Sequence, residues 1–249
     1  MELILTRRWF WGLLLSVFLL VAGPASGGDT TLEQGLAAFK AQNYGAAVKI
    51  FQEYLQCQPQ DLTARSHLVQ AFQRLERPKE ALAEVEIGLK YNPEARELLL
   101  LKGSLLGELG ERDQAVAIFD QVLRQDPDNV TALKERGVNL ANDGRLDEAL
   151  RDLNRAAQLA PTDPWIFNHR GMVHFCRRDY AAAVADFSQA IQLRPDLPHA
   201  YFFRGNLYRY HLQEPEKARA DFSEGCRQGH PLCCEELEKL GPAPKADKP

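Results

Sequence analysis

The stretch Trp165–Pro195, WIFNHRGMVHFCRRDYAAAVADFSQAIQLRP, decides the fold. In its first half Phe167, Arg170, Gly171 and His174 recur at spacings of three and four, which places them on one face of a helix. Asp179 and Tyr180 break that run. In its second half Ala183, Phe187 and Ala190 recur the same way, with small residues on either side of one aromatic. A second helix so patterned can lie close against the first where Gly171 leaves a gap. Pro195 closes the unit, because proline cannot continue a helix.

The same unit runs outward in both directions. Pro59, Pro93, Pro127, Pro161 and Pro195 are each 34 residues apart. A spacing held over four intervals marks a repeat array. Twelve residues before each proline stands an alanine (Ala47, Ala81, Ala115, Ala149, Ala183). Eight before it stands a large apolar residue (Phe51, Val85, Phe119, Leu153, Phe187). Gly35, Gly103, Gly137, Gly171 and Gly205 mark the close crossing in the first helix.

On these residues the chain resembles the tetratricopeptide repeat family, with units near 28–61, 62–95, 96–129, 130–163, 164–197 and 198–231. The resemblance implies an all-α fold, helix pairs stacked into a right-handed superhelix. It also implies that the first helix of each pair lines a concave groove that binds an extended peptide or a partner helix. Some positions depart from the family's pattern. Val69 replaces the glycine of unit 2, and Gly88 and Tyr54 stand at its usual alanine, so units 1 and 2 are expected to pack less regularly. Unit 6 carries one extra residue before Ala218 and Phe222, expected in the turn ahead of Pro215.

Composition agrees with a helical array: Leu, Ala and long polar residues dominate. The formal net charge is −4, which offers no bulk attraction for nucleic acid or an anionic membrane surface. Residues 1–25 have a different layout. Arg7 and Arg8 precede the apolar run Trp9–Ala22, and small residues follow, the order of a secretory signal peptide or an N-terminal membrane anchor. The array needs a polar end, and 231–241 reads as a capping helix, with Leu232, Leu237 and Leu240 covering the last pair and Glu235, Glu236 and Glu238 in water. Residues 242–249 read as a disordered tail.

Five cysteines allow at most two bridges. The segment Gly225–Cys234, GCRQGHPLCC, resembles cysteine-bearing Sel1-like repeats, in which a cysteine of a second helix is bridged to one eight residues later. That resemblance implies a disulfide between Cys226 and Cys234. The competing reading is a zinc or thiol site built from Cys226, His230, Cys233 and Cys234, all suitable ligand types. Adjacent cysteines on a helix point about 100° apart, which disfavours one tetrahedral ion. His169 and His174 are five apart, off the spacing that lets two histidines share a metal, and read as a groove residue and a packing residue. No nucleophile elbow, phosphate-cradling glycine loop or metalloprotease His-Glu pair occurs. The reading is a non-enzyme with no cofactor, no metal and no catalytic residue.

Arg136, Arg170 and Arg204 each precede the glycine of the first helix, and Asp152, Asp186 and Asp221 each precede the large residue of the second. This repeated register reads as a ladder of ion pairs between neighbouring helices. Inward positions read differently along the array. Units 1 to 3 offer Glu33, Leu36, Ser66, Gln70, Glu97, Leu101 and Ser104. Units 4 to 6 offer Lys134, Trp165, Asn168, His169, Phe202, Asn206 and Arg209, with Val138, Asn142 and Met172 beside them. Aromatic anchors beside amide and cationic donors suit a peptide site. Family members that clamp the carboxylate of chaperone tails use a lysine and an asparagine four apart, whereas here Lys134 is followed by Val138. The expectation is therefore an exported interaction scaffold, periplasmic or lumenal, aiding assembly of an envelope or lumenal complex through a protein or peptide partner. The alternative is a thiol or zinc protein acting through its C-terminal cysteines.

Overall fold

The structure, a computed structural model, describes residues 31–241. The expected signal segment 1–25 and the tail 242–249 lie outside the described residues. Within them the chain is a superhelical stack of α-helices, with no β-strand among the described residues. Six pairs follow in order: α1 (Leu32–Lys40) with α2 (Tyr44–Cys57), α3 (Leu62–Arg74) with α4 (Pro78–Tyr91), and α5 (Arg96–Glu108) with α6 (Arg112–Gln125). Then come α7 (Val130–Asn142) with α8 (Leu146–Leu159), α9 (Pro164–Cys176) with α10 (Tyr180–Leu193), and α11 (Pro198–Asn206) with α12 (Pro215–Arg227). Helix α13 (Pro231–Lys239) closes the stack.

Local chemistry sets these boundaries. Thr31, Asn43, Asp61, Asn129 and Asp163 cap helix N-termini, each accepting a hydrogen bond from a first-turn backbone N–H. Pro78, Pro164, Pro198, Pro215 and Pro231 begin helices, where the missing N–H has no intrahelical role. The repeat prolines each fall two residues past the end of a second helix. In the turn between paired helices one residue is left-handed, glycine at Gly110 (φ 82°) and Gly144 (φ 80°). Gln42, Glu76, Arg178 and Gln213 take the same conformation without glycine's freedom.

The core is one motif repeated. Phe51, Phe119, Phe187 and Phe222 are fully buried, each from a second helix, and each ring lies over the glycine of its own first helix. A Cβ on Gly103 would stand 2.6 Å from the Phe119 ring, so only glycine lets the helices cross this closely. The ladder forms as expected. Arg136, Arg170 and Arg204 pair with Asp152, Asp186 and Asp221 across each helix pair.

Three expectations are corrected. Unit 2 is as regular as its neighbours: α3 and α4 have 13 and 14 residues, the same as α5 and α6. The space at Gly88 is filled by Arg65 and Leu98, and the Tyr54 hydroxyl donates to Asp61 at 2.9 Å. The extra residue of unit 6 is not in the turn, since left-handed Gln213 precedes Pro215 by the usual two positions. It is absorbed instead in a π-helical turn over Leu207–His211. The closing hydrogen bond therefore runs from Glu214 N–H to Tyr208 O, one residue longer than Asp179 N–H to His174 O in unit 5. In α13, Leu232 is 46% exposed, and it is Glu236 that is buried, with Leu237 and Leu240 half-covered.

Candidate functional site on the concave face

First helices α7 and α9 carry inward residues that meet across a groove. Val138, Ala141 and Asn142 of α7 face His169, Met172, Val173 and Cys176 of α9, and together they line a cavity of about 180 Å³. Its wall is mostly apolar, with the Asn142 amide and the His169 imidazole as the polar groups. Burial, and secondarily the Lys134 ammonium, push the His169 pKa down to about 4, so the ring is neutral at pH 7. Lys134 is held by Asp163 at 3.6 Å, and Asp163 caps α9 by accepting the Trp165 N–H at 2.9 Å. Trp165 is 39% exposed, one turn before His169, beside that ring and under the Arg194 guanidinium at 5.6 Å. Asn168 is buried, and its Oδ1 has no hydrogen-bond partner among the described residues.

The other end of the expected site belongs to the chain itself. Helix α13 lies over unit 6: the His230 ring stacks on Phe202 at 5.0 Å, and His230 Nε2 is 3.0 Å from His199 Nδ1. Arg209, expected on the groove, donates to the Glu236 carbonyl at 3.0 Å and to its carboxylate at 2.7 Å, where the Tyr210 hydroxyl also donates at 2.6 Å. Asn206 ends α11, half-buried. Of the seven expected groove residues, Lys134, Trp165, Asn168 and His169 gather in units 4 and 5, whereas Phe202 and Arg209 hold the cap. Ser66, expected on the groove of unit 2, is fully buried.

Sequence reading passed over Glu135 and Cys176. Glu135 projects from α7 toward α5, half-buried and without an ion-pair partner among the described residues. Burial raises its pKa, the neighbouring Lys134 ammonium offsets part of that rise, and the Glu108 charge adds to it. Its signal was the inward register one residue past Lys134. Cys176 lies one turn past Met172 on the groove side.

The C-terminal thiols are arranged against chemistry. Cys226 and Cys234 have their sulfurs 2.06 Å apart and their Cα atoms 4.8 Å apart, a disulfide geometry. Cys233 is fully buried against Gly225, and burial pushes its thiol up to about 12, leaving almost no thiolate at neutral pH. Among the described residues no group of three or more His, Cys, Asp or Glu is placed to hold a metal.

Comparison with known proteins agrees with this architecture. Protein FlbA of Caulobacter vibrioides is 31% identical over 114 residues, 46% of this chain and 18% of FlbA. Hsp70-Hsp90 organizing protein 3 of Arabidopsis thaliana is 29% identical over 97 residues, 39% of this chain and 17% of that protein. The chain thus spans less than a fifth of the length of these curated relatives. Among solved structures, PilW, a type IV pilus biogenesis factor, superposes with a TM-score of 0.74 at 19% identity, covering 84% of this chain and 95% of that one. A tetratricopeptide repeat protein from Parabacteroides merdae gives 0.69 at 22% identity, over 84% of this chain and 82% of that one. Likeness at such identity shows the fold. The tetratricopeptide repeat profile matches residues 100–164 and 170–231, just over half of the chain, and with the repeated helix pairs described above it makes this chain a member of the tetratricopeptide repeat family.

Proposed function

We propose that this protein is a non-enzymatic protein-interaction scaffold that holds a peptide segment of its partner on the concave face of units 4 and 5. The observation that carries the reading is the cavity between α7 and α9 with exposed Trp165 stacked beside His169 of its wall. A large aromatic left in water beside a concave apolar pocket is the arrangement of an interface anchor. The large residues that second helices place over the first-helix glycines, Phe119 and Phe187 among them, are buried in the core, whereas Trp165 of first helix α9 is left in water.

The same reading places the protein in an exported compartment, where it aids assembly of an envelope or lumenal complex. The order of charge and apolar residues in the N-terminal segment supports export, and so does the Cys226–Cys234 geometry, since disulfides persist in oxidising compartments.

The test is site-specific photocrosslinking in the host. A crosslinking amino acid at Met172, inside the groove, is expected to capture a partner, and the same group at Arg151, exposed on second helix α8, is not. Equal capture at both positions, or capture at Arg151 alone, refutes the groove. Intact mass of the mature protein reports export: a chain beginning near residue 26 is expected, and a chain that retains residues 1–25 in the host cytosol refutes it.

A further inference from the structure

Two adjacent inter-helix grooves on the concave face have opposite chemistry. Between α7 and α9 the cavity is apolar, and the groups around it carry no free charge: His169 is neutral, and Lys134 is already matched by Asp163. Between α5 and α7 the surface is acidic. Glu135 is half-buried, with the Lys134 ammonium offsetting its burial only in part and no ion pair formed, and Glu108, exposed on the last turn of α5, accepts the neutral Gln73 amide at 3.1 Å. No Lys or Arg pairs with either carboxylate among the described residues, although most buried acids of this protein, Asp152, Asp186 and Asp221 among them, have an arginine. A partly desolvated carboxylate left unpaired disfavours the free state, and a cation brought by a partner relieves that cost.

We infer that the partner segment is an extended peptide carrying one basic residue, seated at Glu108 and Glu135, and one uncharged apolar side chain, seated in the cavity lined by Val138, Ala141, Met172 and Val173. This rests on the groove reading above and gives it a ligand class. The spacing follows from geometry. Neighbouring packed helices lie about 8–10 Å apart, and an extended chain advances about 3.3 Å per residue. The basic and apolar residues are therefore separated by about three positions. A carboxylate-terminated tail has no free cation to meet it here, which separates this surface from a chaperone-tail clamp.

The experiment is selection of a randomised peptide library on the full chain, with the Trp165→Ala variant as counter-selection. The expected winners carry Lys or Arg about three positions from Leu, Met or Phe. In fluorescence anisotropy, exchanging the basic residue of a winning peptide for Glu, or its apolar residue for Ala, weakens binding at least about tenfold in each case. In a Glu108→Gln and Glu135→Gln double variant, whose helicity is checked by circular dichroism, the loss on the Lys-to-Glu exchange disappears and the loss on the apolar-to-Ala exchange remains. The peptide exchanges read the same preferences without altering the protein. Winners that depend on Trp165 but lack a basic residue, or a lysine preference that survives the double variant, overturn this inference and leave the groove reading standing. Absence of any peptide enriched on the wild type over Trp165→Ala overturns the groove reading itself.

Discussion

Arg170 donates from Nε and Nη2 to the two carboxylate oxygens of Asp186, at 2.8 and 2.6 Å, and its Nη1 reaches Asn154 of the preceding unit at 3.0 Å. The unit on either side repeats this. Arg136 grips Asp152 and extends to Asp120, and Arg204 grips Asp221 and extends to Ser188. Each arginine thus joins its own helix pair and ties that pair to the unit before it. In a solenoid such a contact couples neighbours, the level at which stability and cooperativity are set.

Asp186 is 6% exposed, so replacing it by alanine takes away two of the three hydrogen bonds of the Arg170 guanidinium and leaves its charge without a counterion in a half-buried site. The expected loss is roughly 3 kcal/mol in urea denaturation. An Arg170→Met and Asp186→Leu pair removes both charges and is expected to cost much less, because no uncompensated charge remains. Equal losses from the single and double replacements would show that packing, and not the charge pair, holds this crossing.

Two glycine replacements separate close packing from helix propensity. Gly103→Ala puts a methyl 2.6 Å from the Phe119 ring, which is buried on all sides, and is expected to cost on the order of 2 kcal/mol. Gly45→Ala in the first turn of α2 meets nothing within 4 Å and is expected to stabilise by about 0.5 kcal/mol through the unfolded chain. Thermal melts of the two variants should move in opposite directions.

His169 has a folded pKa of about 4 against an ordinary 6.5. Between those values the unfolded chain binds a proton that the folded one refuses. Stability is therefore full above pH 6.5 and is lost as the pH falls toward 4, by on the order of 2 kcal/mol. His230 adds in the same direction, since burial and the neighbouring His199 lower its pKa. His169→Gln should flatten the wild-type slope across this window. An unchanged slope would mean that the ring titrates freely and is not enclosed by the groove.

The Cys226–Cys234 bridge joins α12 to α13 around a short loop, and its removal should cost about 2–3 kcal/mol locally. Non-reducing peptide mapping of protein from an oxidising compartment should recover the two cysteines in one linked peptide pair. Recovery of both as alkylated thiols would refute the bridge, and with it one support for export.

The repeat made the fold legible because its constraints are local. A glycine, an aromatic and a proline at fixed offsets state where two helices cross and where they end, and Gly171, Phe187 and Pro195 do so with no knowledge of the rest. That His169 and Met172 share one side of α9 was readable for the same reason. What could not be read was anything set by a contact without periodicity. Glu236 looks like any exposed helix glutamate until α13 folds back over Arg209 and Tyr210. The π-helical turn leaves no local mark either, since an extra residue between Gly205 and Pro215 fits a longer turn as well as a wider helix. Whether Glu135 has a partner depends on side chains from three helices, which no single repeat records.

The Arg209–Glu236 contact closes the C-terminal end of the groove, so its loss should loosen the cap without touching the cavity in units 4 and 5. Arg209 supplies two hydrogen bonds to one residue, a carbonyl at 3.0 Å and a carboxylate at 2.7 Å, and its side chain is 19% exposed. Removing it leaves Glu236 with Tyr210 and Lys239. A charge-assisted contact of this kind is worth about 1.5–3 kcal/mol, which corresponds to at least a tenfold loss of amide hydrogen-exchange protection in α13 if that helix opens as a local unit. Helices α7 to α10 should keep their protection, and affinity for a peptide bound at Trp165 should be unchanged. Should Arg209→Ala leave α13 protected while weakening that peptide, Arg209 would belong to the partner site after all, and the other contacts of α13, His230, the disulfide, Tyr210 to Glu236 and Arg219 to the Leu240 and Gly241 carbonyls, would suffice to hold it.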